Sequence, residues 1–487
     1  MRPEELTELV RTVMKMKAET QTIEVKSAHH GCPKRLYDTL SSFSNQDAGG
    51  IILFGLDESQ DFFPVGVYDP QDLQKQVAAQ CREMTPEVRA VFTLAQVDGV
   101  VVCAAEIPGL DAAERPCYYS GRGRLKGSYL RVGDADEPMT DYEIYTLEAF
   151  RRHLHDDERV VERATAEALN QNQTDAYIRQ RQEGRSGFAQ LPLDEKRKAL
   201  AILTEDNRPT LAALMNFGLY PQAYLPNLCI TAVVVPGENI GDVDENDVRF
   251  LDNKRIEGTL AEMVDGALAF CQRNMKLRTI IDPETAQRRD QTEYPITAIR
   301  EAILNAVIHR DYSLYTEGTP IQMNFFSDRL EIHSPGALYG RMTVEQLGKA
   351  RPDFRNPTLA VMAESQLHVE NRYSGIPTMR REMASLGLPA PVFRNGRNEF
   401  VVTFYNARQE ETPRAREFPH TVEKTPEALL AFCRTPRTRA EIAKFLGIRT
   451  VAYAMSAYVT PLVKTGQLKL LFPDSPRSKK QKYYSES

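Results

Sequence analysis

The sequence predicts a multidomain chain of mixed α/β (α+β) class. Three observations carry that expectation. At 487 residues the chain exceeds what one ordinary hydrophobic core organises, so about two to four domains are expected. Short apolar runs and two-residue alternations are interspersed with stretches of helical apolar period, so strands and helices share the chain. The charge is also uneven. The whole chain is net −6, yet Thr425 to Ser487 holds 11 Lys/Arg against 4 Asp/Glu, a net of +7, leaving −13 for the remainder. A basic appendage on an acidic body anticipates an anionic partner.

Several classes are set aside at once. No apolar run approaches a membrane span, and the charged start Met1-Arg2-Pro3-Glu4-Glu5 lacks the apolar core of a signal peptide. No membrane partner is therefore expected, and a cytoplasmic location is. The seven cysteines are scattered and never form a CxxC pair, which argues against a disulfide framework or a zinc ribbon and fits a reducing compartment. No GxxxxGK[ST] stretch occurs, so a P-loop engine is excluded.

Residues 1–150 read as the first domain. Leu6, Leu9, Val10, Val13 and Met14 mark an amphipathic helix. Ile23-Glu24-Val25-Lys26 alternates like a strand, with Glu24 and Lys26 on one face. Leu36, Leu40 and Phe43 suggest a second helix, ending in a turn at Asn45 to Gly50. Ile51 to Gly55 reads as a buried strand leading to Asp57 and Glu58, and further strands are expected at Val100 to Ile107 and Ser128 to Val132. Arg115, Arg122, Arg124, Lys126 and Arg131 cluster around Tyr118 and Tyr119. Cations interleaved with aromatics suit phosphate contact and base stacking. His29 and His30 lack any companion at metal-ligand spacing and read as loop residues.

A Glu-x4-Glu-x-Lys run, a helix ending in Asn-x-x-x-Gly-Gly and a strand ending in Gly-x-Asp together resemble the Schlafen AlbA-like domain. Tyr129-Leu130-Arg131-Val132-Gly133 is similar to its Tyr-x-Arg-x-Gly segment. In the nuclease members of that family three acidic residues bind a divalent metal. The resemblance places those roles on Glu19, Glu24 and Asp57 (or Glu58). Clustered carboxylates can hold Mg²⁺ or Mn²⁺ against a phosphate so that the metal activates water, and Lys26 could steady the charge that develops. The same acids would also suit a binding domain that cuts nothing.

Residues 151–408 read as a connector and a second domain. Arg151 to Arg185 is polar with sparse apolar positions and is expected as an exposed bridging helix. Leu260, Met263, Val264, Ala267, Leu268 and Cys271 mark a core-facing helix, and a hairpin is expected at Ile321–Phe325 and Arg329–His333. Between them, Ile296, Ile299, Ile303 and Val307 share one helical face after Pro295. Glu301, Asn305 and His309 form a polar stripe beside it. A carboxylate and an amide one turn apart could hold a water and a divalent cation over a phosphate. The same letters suit a solvated helix face.

Glu-x-x-x-Asn-Ala followed by His-Arg-Asp-Tyr resembles the N-box of the divergent histidine-kinase/gyrase-type (GHKL) ATPase domain. That domain, an α/β sandwich, is commonly found behind a Schlafen AlbA-like domain in bacterial and archaeal proteins. The resemblance implies ATP with Mg²⁺ or Mn²⁺, Glu301 orienting the attacking water and Asn305 binding the metal. Ser334-Pro335-Gly336 stands where the family has Asp-x-Gly, so Ser334 replaces the residue that bonds adenine. Arg355-Asn356-Pro357 matches an Arg-Asn-Pro segment. Ser374-Gly375-Ile376 matches a glycine lid in which Arg372-Tyr373 stand where a glycine is expected. By resemblance Ser334, Gly336, Arg355, Asn356 and Gly375 would line the nucleotide.

Residues 409–423 are charged and Pro-containing, a linker. Residues 424–487 read as three helices and a β-hairpin, the winged helix-turn-helix arrangement. Helices are expected at Pro426–Arg434, from the capping box Thr438-Arg439-Ala440-Glu441 to Gly447, and at Thr450–Lys464 with a kink at Pro461. Arg449 and Tyr453 would start the recognition helix, and Lys479, Lys480 and Lys482 would sit on the wing. Three functions stay open. One is a nucleotide-responsive, regulator-like protein binding DNA or RNA. Another is a metal-dependent Schlafen-like nuclease acting in antiviral defence. The last is a homo-oligomeric scaffold on a degenerate ATPase fold.

Overall fold

The computed structural model describes residues 1–281, 288–367, 374–406, 429–430, 432–446, 455–472 and 481–485. The chain divides into two compact units, Met1–Ala407 and Arg408–Ser487. The mixed α/β multidomain class is as expected. Among the described residues no helix is long and apolar enough to cross a membrane.

The first unit opens with helix α1 (Pro3–Met16), strand β1 (Ile23–Lys26), helix α2 (Tyr37–Ser44), strand β2 (Gly50–Phe54), helix α3 (Pro70–Arg82) and strands β3 (Val91–Val97) and β4 (Val100–Ile107). The strands form one sheet in the order β1-β2-β4-β3, with β1 and β2 parallel and the other pairs antiparallel. Both faces are covered, which is why β2 and β4 read as continuous apolar runs. Val102 and Ala104 face one way, onto Leu6, Val10 and Val13 of α1. Cys103 and Ala105 face the other, onto Leu40 and Phe43 of α2 and Leu73 and Val77 of α3. The hairpin β5 (Tyr129–Val132) and β6 (Ala135–Pro138) follows, then helix α4 (Asp141–Arg152), capped by Thr140 and Glu143.

The connector departs from expectation. It is not one exposed helix. Val161, Ala164, Ala168 and Leu169 enter the next core singly, and only α5 (Gln171–Gln182) is a long helix there, burying Thr174, Tyr177 and Ile178. The apolar positions are sparse because each fills its own slot rather than forming a stripe.

Helix α6 (Leu211–Phe217) leads to strands β7 (Ile230–Val234) and β8 (Asp252–Ile256) and helix α7 (Leu260–Asn274). A two-stranded ribbon, β9 (Leu277–Ile281) with β10 (Arg288–Thr292), precedes helix α8 (Ile296–His309). Strands β11 (Ile321–Phe325) and β12 (Arg329–Pro335), helices α9 (Pro357–Leu367) and α10 (Gly375–Ser385), and strands β13 (Val392–Asn395) and β14 (Glu399–Tyr405) complete the unit. The sheet order is β8-β7-β11-β12-β14-β13, with only β7 and β11 parallel. Ile299, Ile303 and Val307 of α8 are buried against Met323, Ile332 and Val402 and the neighbouring helices, while Ile296 is half-buried and Pro295 stands just before the helix.

In the second unit Thr438 and Glu441 close the expected capping box at the start of α11 (Arg439–Phe445): the Thr438 N–H donates to Glu441 Oε2 at 2.7 Å, and the Glu441 N–H to Thr438 Oγ1 at 3.3 Å. A π-helical turn at Met455–Val459 runs into α12 (Thr460–Lys464). Strands β15 (Arg437–Thr438), β16 (Lys469–Leu470) and β17 (Lys482–Tyr484) pair in the order β15-β17-β16. Lys482 is exposed on β17, whereas Arg449, Tyr453, Lys479 and Lys480 lie outside the described residues.

Candidate functional site

The polar stripe of α8 faces a cavity. Glu301, Asn305 and His309 all line a space of about 400 Å³, together with Ser334, Gly336 and Arg355 and the start of α10 at Ser374, Gly375 and Ile376. Glu301 and Asn305 are half-buried, and neither side chain makes a hydrogen bond among the described residues. Burial raises the Glu301 carboxyl above its ordinary range, against a smaller lowering by the Arg300 charge. Gly375 lies directly over the pair. A Cβ there would stand 2.8 Å from Glu301 Oε2 and 3.3 Å from Asn305 Nδ2. The first turn of α10 thus brings a helix N-terminus, with its unspent N–H groups, to an open carboxylate and amide. Such an end favours an anion. The Asn305 and Glu301 oxygens could supply part of a divalent cation's shell, with waters and ligand oxygens completing it.

The residues after α8 are spent on holding its end. Asn356, expected at the ligand, does not line the cavity. Its Nδ2 donates to the carbonyls of Ile308 at 2.9 Å and Arg310 at 2.8 Å, closing the last turn of α8. The buried Arg310 donates to the carbonyls of Thr316 and Thr319 at 3.2 and 3.1 Å. Ser334 borders the cavity, but its hydroxyl donates inward to the Ala306 carbonyl at 3.2 Å. Gly336 has φ +100°, and a Cβ there would meet Arg355 Nη1 at 2.3 Å and Asp311 Cβ at 2.6 Å, so only glycine fits. Arg355 is buried, donates to the Ala337 carbonyl at 2.9 Å and lies 3.3 Å from Asp311 Oδ2.

Asp311 was not singled out as a site residue, and it is where the N-terminal fold meets this wall. Tyr142 of α4 donates its hydroxyl to Asp311 Oδ2 at 2.7 Å. Phe150 of α4 packs edge-on against Tyr339, a cavity residue, at 5.3 Å. Arg397 reaches Glu137 at 2.9 Å and Glu143 at 2.7 Å, and Arg341 reaches Asp111 at 3.1 Å. The only sequence signal for Asp311 was its place in His-Arg-Asp-Tyr.

The N-terminal acidic residues are arranged differently. Arg131, expected on a nucleic-acid surface, is buried. Its Nη2 lies 2.8 Å from Glu24 and 3.6 Å from Glu19, and its Nη1 lies 3.0 Å from Asp136. Lys26 pairs with Glu24, and Glu19 accepts the Val25 N–H at 2.7 Å. Burial pushes the Glu19 carboxyl up, and the neighbouring charge of Glu24 adds to it. Asp57 is engaged locally, accepting from Ser59 Oγ at 2.7 Å and Gln60 Nε2 at 2.8 Å. Those bonds hold it below the usual range. The three-carboxylate metal site is therefore not assembled: among the described residues no three His, Cys, Asp or Glu side chains gather so as to hold a metal.

The basic tract is likewise divided. Arg115 is buried and bonded to the Leu110 carbonyl and to Asp47, so it holds a turn. Arg124 pairs with Glu148. Arg122 and Lys126 are exposed, and Arg122 donates from Nη1 to the Tyr129 hydroxyl at 3.1 Å.

Comparison with known proteins finds matches in two segments. Residues 19–140 match the family model described as "Schlafen, AlbA_2", and residues 318–404 match that described as "Putative ATP-dependent DNA helicase recG C-terminal". No curated protein matches the chain. Among solved structures, a crystal structure of a Corynebacterium diphtheriae protein is 19% identical, covers 93% of this chain and 92% of its own, and has a TM-score of 0.39. The solution structure of the N-terminal domain of a RecG-related protein from Nitrosomonas europaea is 27% identical, covers 28% of this chain and 92% of its own, and has a TM-score of 0.23. Neither superposition is close enough to carry an assignment. The chain thus joins a Schlafen AlbA_2 domain at 19–140 to a domain of the RecG C-terminal type at 318–404.

Proposed function

We propose that this protein is a nucleotide-responsive nucleic-acid-binding protein of regulator type, with ATP and Mg²⁺ or Mn²⁺ as its cofactors and DNA or RNA as its partner. The observation that carries the reading is the unpaired Glu301–Asn305 step beneath the N-terminus of α10, on the wall of a cavity of about 400 Å³. Half-buried and open to the cavity, this carboxylate and amide are not tied to other side chains and can exchange water for a ligand's atoms. In this reading phosphate oxygens meet the α10 N-terminus, Asn305 gives one oxygen to the cation, and Glu301 orients water. With Ser334 turned inward, the base is held by shape more than by a dedicated carboxylate. Nucleic acid is met by Arg122 and Lys126 and by the basic second unit, read as a winged helix with Arg449, Tyr453, Lys479, Lys480 and Lys482. The Tyr142–Asp311–Arg355 contact would let the cavity set the posture of the N-terminal fold. The nuclease reading has less support, because Glu19 and Glu24 already share Arg131.

The test is calorimetric titration of Mg-ATP into the native, Asn305→Ala and Glu301→Ala proteins. Native binding, at least about tenfold weaker binding in Asn305→Ala, and retained binding without turnover in Glu301→Ala are expected. Equal binding by the native and Asn305→Ala proteins would reduce the stripe to a solvated face.

A further inference from the structure

A second cavity of about 350 Å³ lies against the same turn of β12. Ser334 borders both spaces. Its walls come from both folds: Tyr142 from α4, Tyr315 and Thr319 from the segment after α8, Gln322 from β11, His333 from β12, and Asn398 with Glu399 at the start of β14. Nothing in the proposed ATP reading uses it.

Three features decide what it can hold. The first is an aromatic wall. The Tyr142 and Tyr315 rings lie 5.6 Å apart, tilted by 50°. Tyr315 is 54% exposed and the neighbouring Leu314 is 74% exposed, so apolar surface is left open beside the cavity. The second is a pair of amides. The Gln322 and Asn398 side chains are exposed and make no hydrogen bond among the described residues. Each offers a donor and an acceptor side by side, the pattern that pairs with the edge of a nucleobase.

The third feature is charge. The lining contains no Lys or Arg among the described residues. Its imidazole is already spent: His333 sits between Glu331 and Glu399, at 3.0 Å from each. Glu331 is also bonded to Arg329, and Glu399 to Arg394. No cation remains for a phosphate, and Glu399 adds a carboxylate. An anionic ligand is disfavoured, and an uncharged ring with hydrogen-bonding edges is favoured.

We propose that this cavity is a nucleobase site. It takes an uncharged purine or pyrimidine ring, stacked on Tyr315 and read by Gln322 and Asn398, from either a free nucleoside or a base of a single strand. The inference stands whether or not the first cavity binds ATP.

The experiment is saturation-transfer NMR and equilibrium dialysis of the full chain with adenosine. Adenosine is chosen because side-chain amides pair best with the adenine edge. Binding in the sub-millimolar range is expected, weakened about tenfold by Tyr315→Ala and by Gln322→Ala, as loss of stacking or of an edge contact predicts. Both altered side chains are exposed, so melting temperatures should stay within about 2 °C of native. Should one variant still misfold, Asn398→Ala supplies the second arm. A short oligoadenylate that displaces adenosine assigns a base within a strand, and failure to displace it assigns the free nucleoside. The proposal is overturned by no binding at about 5 mM adenosine, a concentration at which sites of even millimolar affinity are mostly filled. It is equally overturned by binding indifferent to Tyr315→Ala and Gln322→Ala.

Discussion

Glu19 and Glu24 on one side, and Glu301 and Asn305 on the other, look alike as letters: acidic or amide side chains beside a buried strand or helix. Their surroundings differ. The first pair encloses a buried guanidinium, so its charges are answered from within the protein. The second pair faces a cavity and is answered by nothing among the described residues. A closed cluster holds a fold together, and its removal is felt as instability. An open one contributes little to folding and is available to a ligand. The contrast is measurable.

The largest effect is expected at Arg131. Arg131→Ala would strand Glu19, Glu24 and Asp136 and should cost about 3–5 kcal/mol, the usual price of breaking a buried ion pair from one side. Urea unfolding would measure it. A loss below about 1 kcal/mol would show that the cluster is not closed, since only surface pairs are worth so little.

A smaller effect is expected from proton linkage at Glu19. Its carboxyl is raised from 4.5 to about 7, burial being the main cause. The folded protein therefore holds this proton over a window in which the unfolded chain has released it. Stability from this group is present below the ordinary glutamate range and falls as pH rises through the window. Glu19→Gln keeps an acceptor for the Val25 N–H and should flatten the decline, gaining about 1 kcal/mol over native at pH 8. Thermal melts at several pH values would check it, and parallel curves for the two proteins would contradict it.

The smallest effect belongs to the open pair. Glu301→Gln removes an unpaired, half-buried charge and should stabilise by about 0.5 kcal/mol, while Asn305→Ala should be neutral within about 0.5 kcal/mol. Denaturant midpoints of both variants would show this. A loss above about 1 kcal/mol in either would make the α8 stripe structural and erase the contrast with Arg131.

Much of the framework was legible because it depends on local period. The stripes of α1, α7 and α8 and the β11–β12 hairpin follow from apolar spacing alone. Strand β3 was overlooked although its burial alternates, because Val91 and Phe92 sit beside polar neighbours that look like loop. What the sequence did not disclose was direction. Arg115 and Arg131 stand among tyrosines just as Arg122 and Lys126 do, yet the first two turn inward to carboxylates far along the chain. Pairing across such distances is set by topology, and topology does not show in a window of residues. The same holds for Asn356, whose partners are the last carbonyls of a helix some way upstream.

Helix α4 has a consequence for how such a chain can be taken apart. The AlbA_2 match ends at 140, one residue before α4 begins. A fragment cut there keeps Asp111 and Glu137 but loses Arg341 and Arg397. A fragment cut after α4 takes Tyr142 away from Asp311. Neither excision leaves both pieces whole. A recombination event that placed another module in front of the RecG-type fold would leave Asp311 without this hydroxyl and Arg341 and Arg397 without these carboxylates. The two folds are tied by one part-buried hydroxyl–carboxylate contact and a few surface ion pairs.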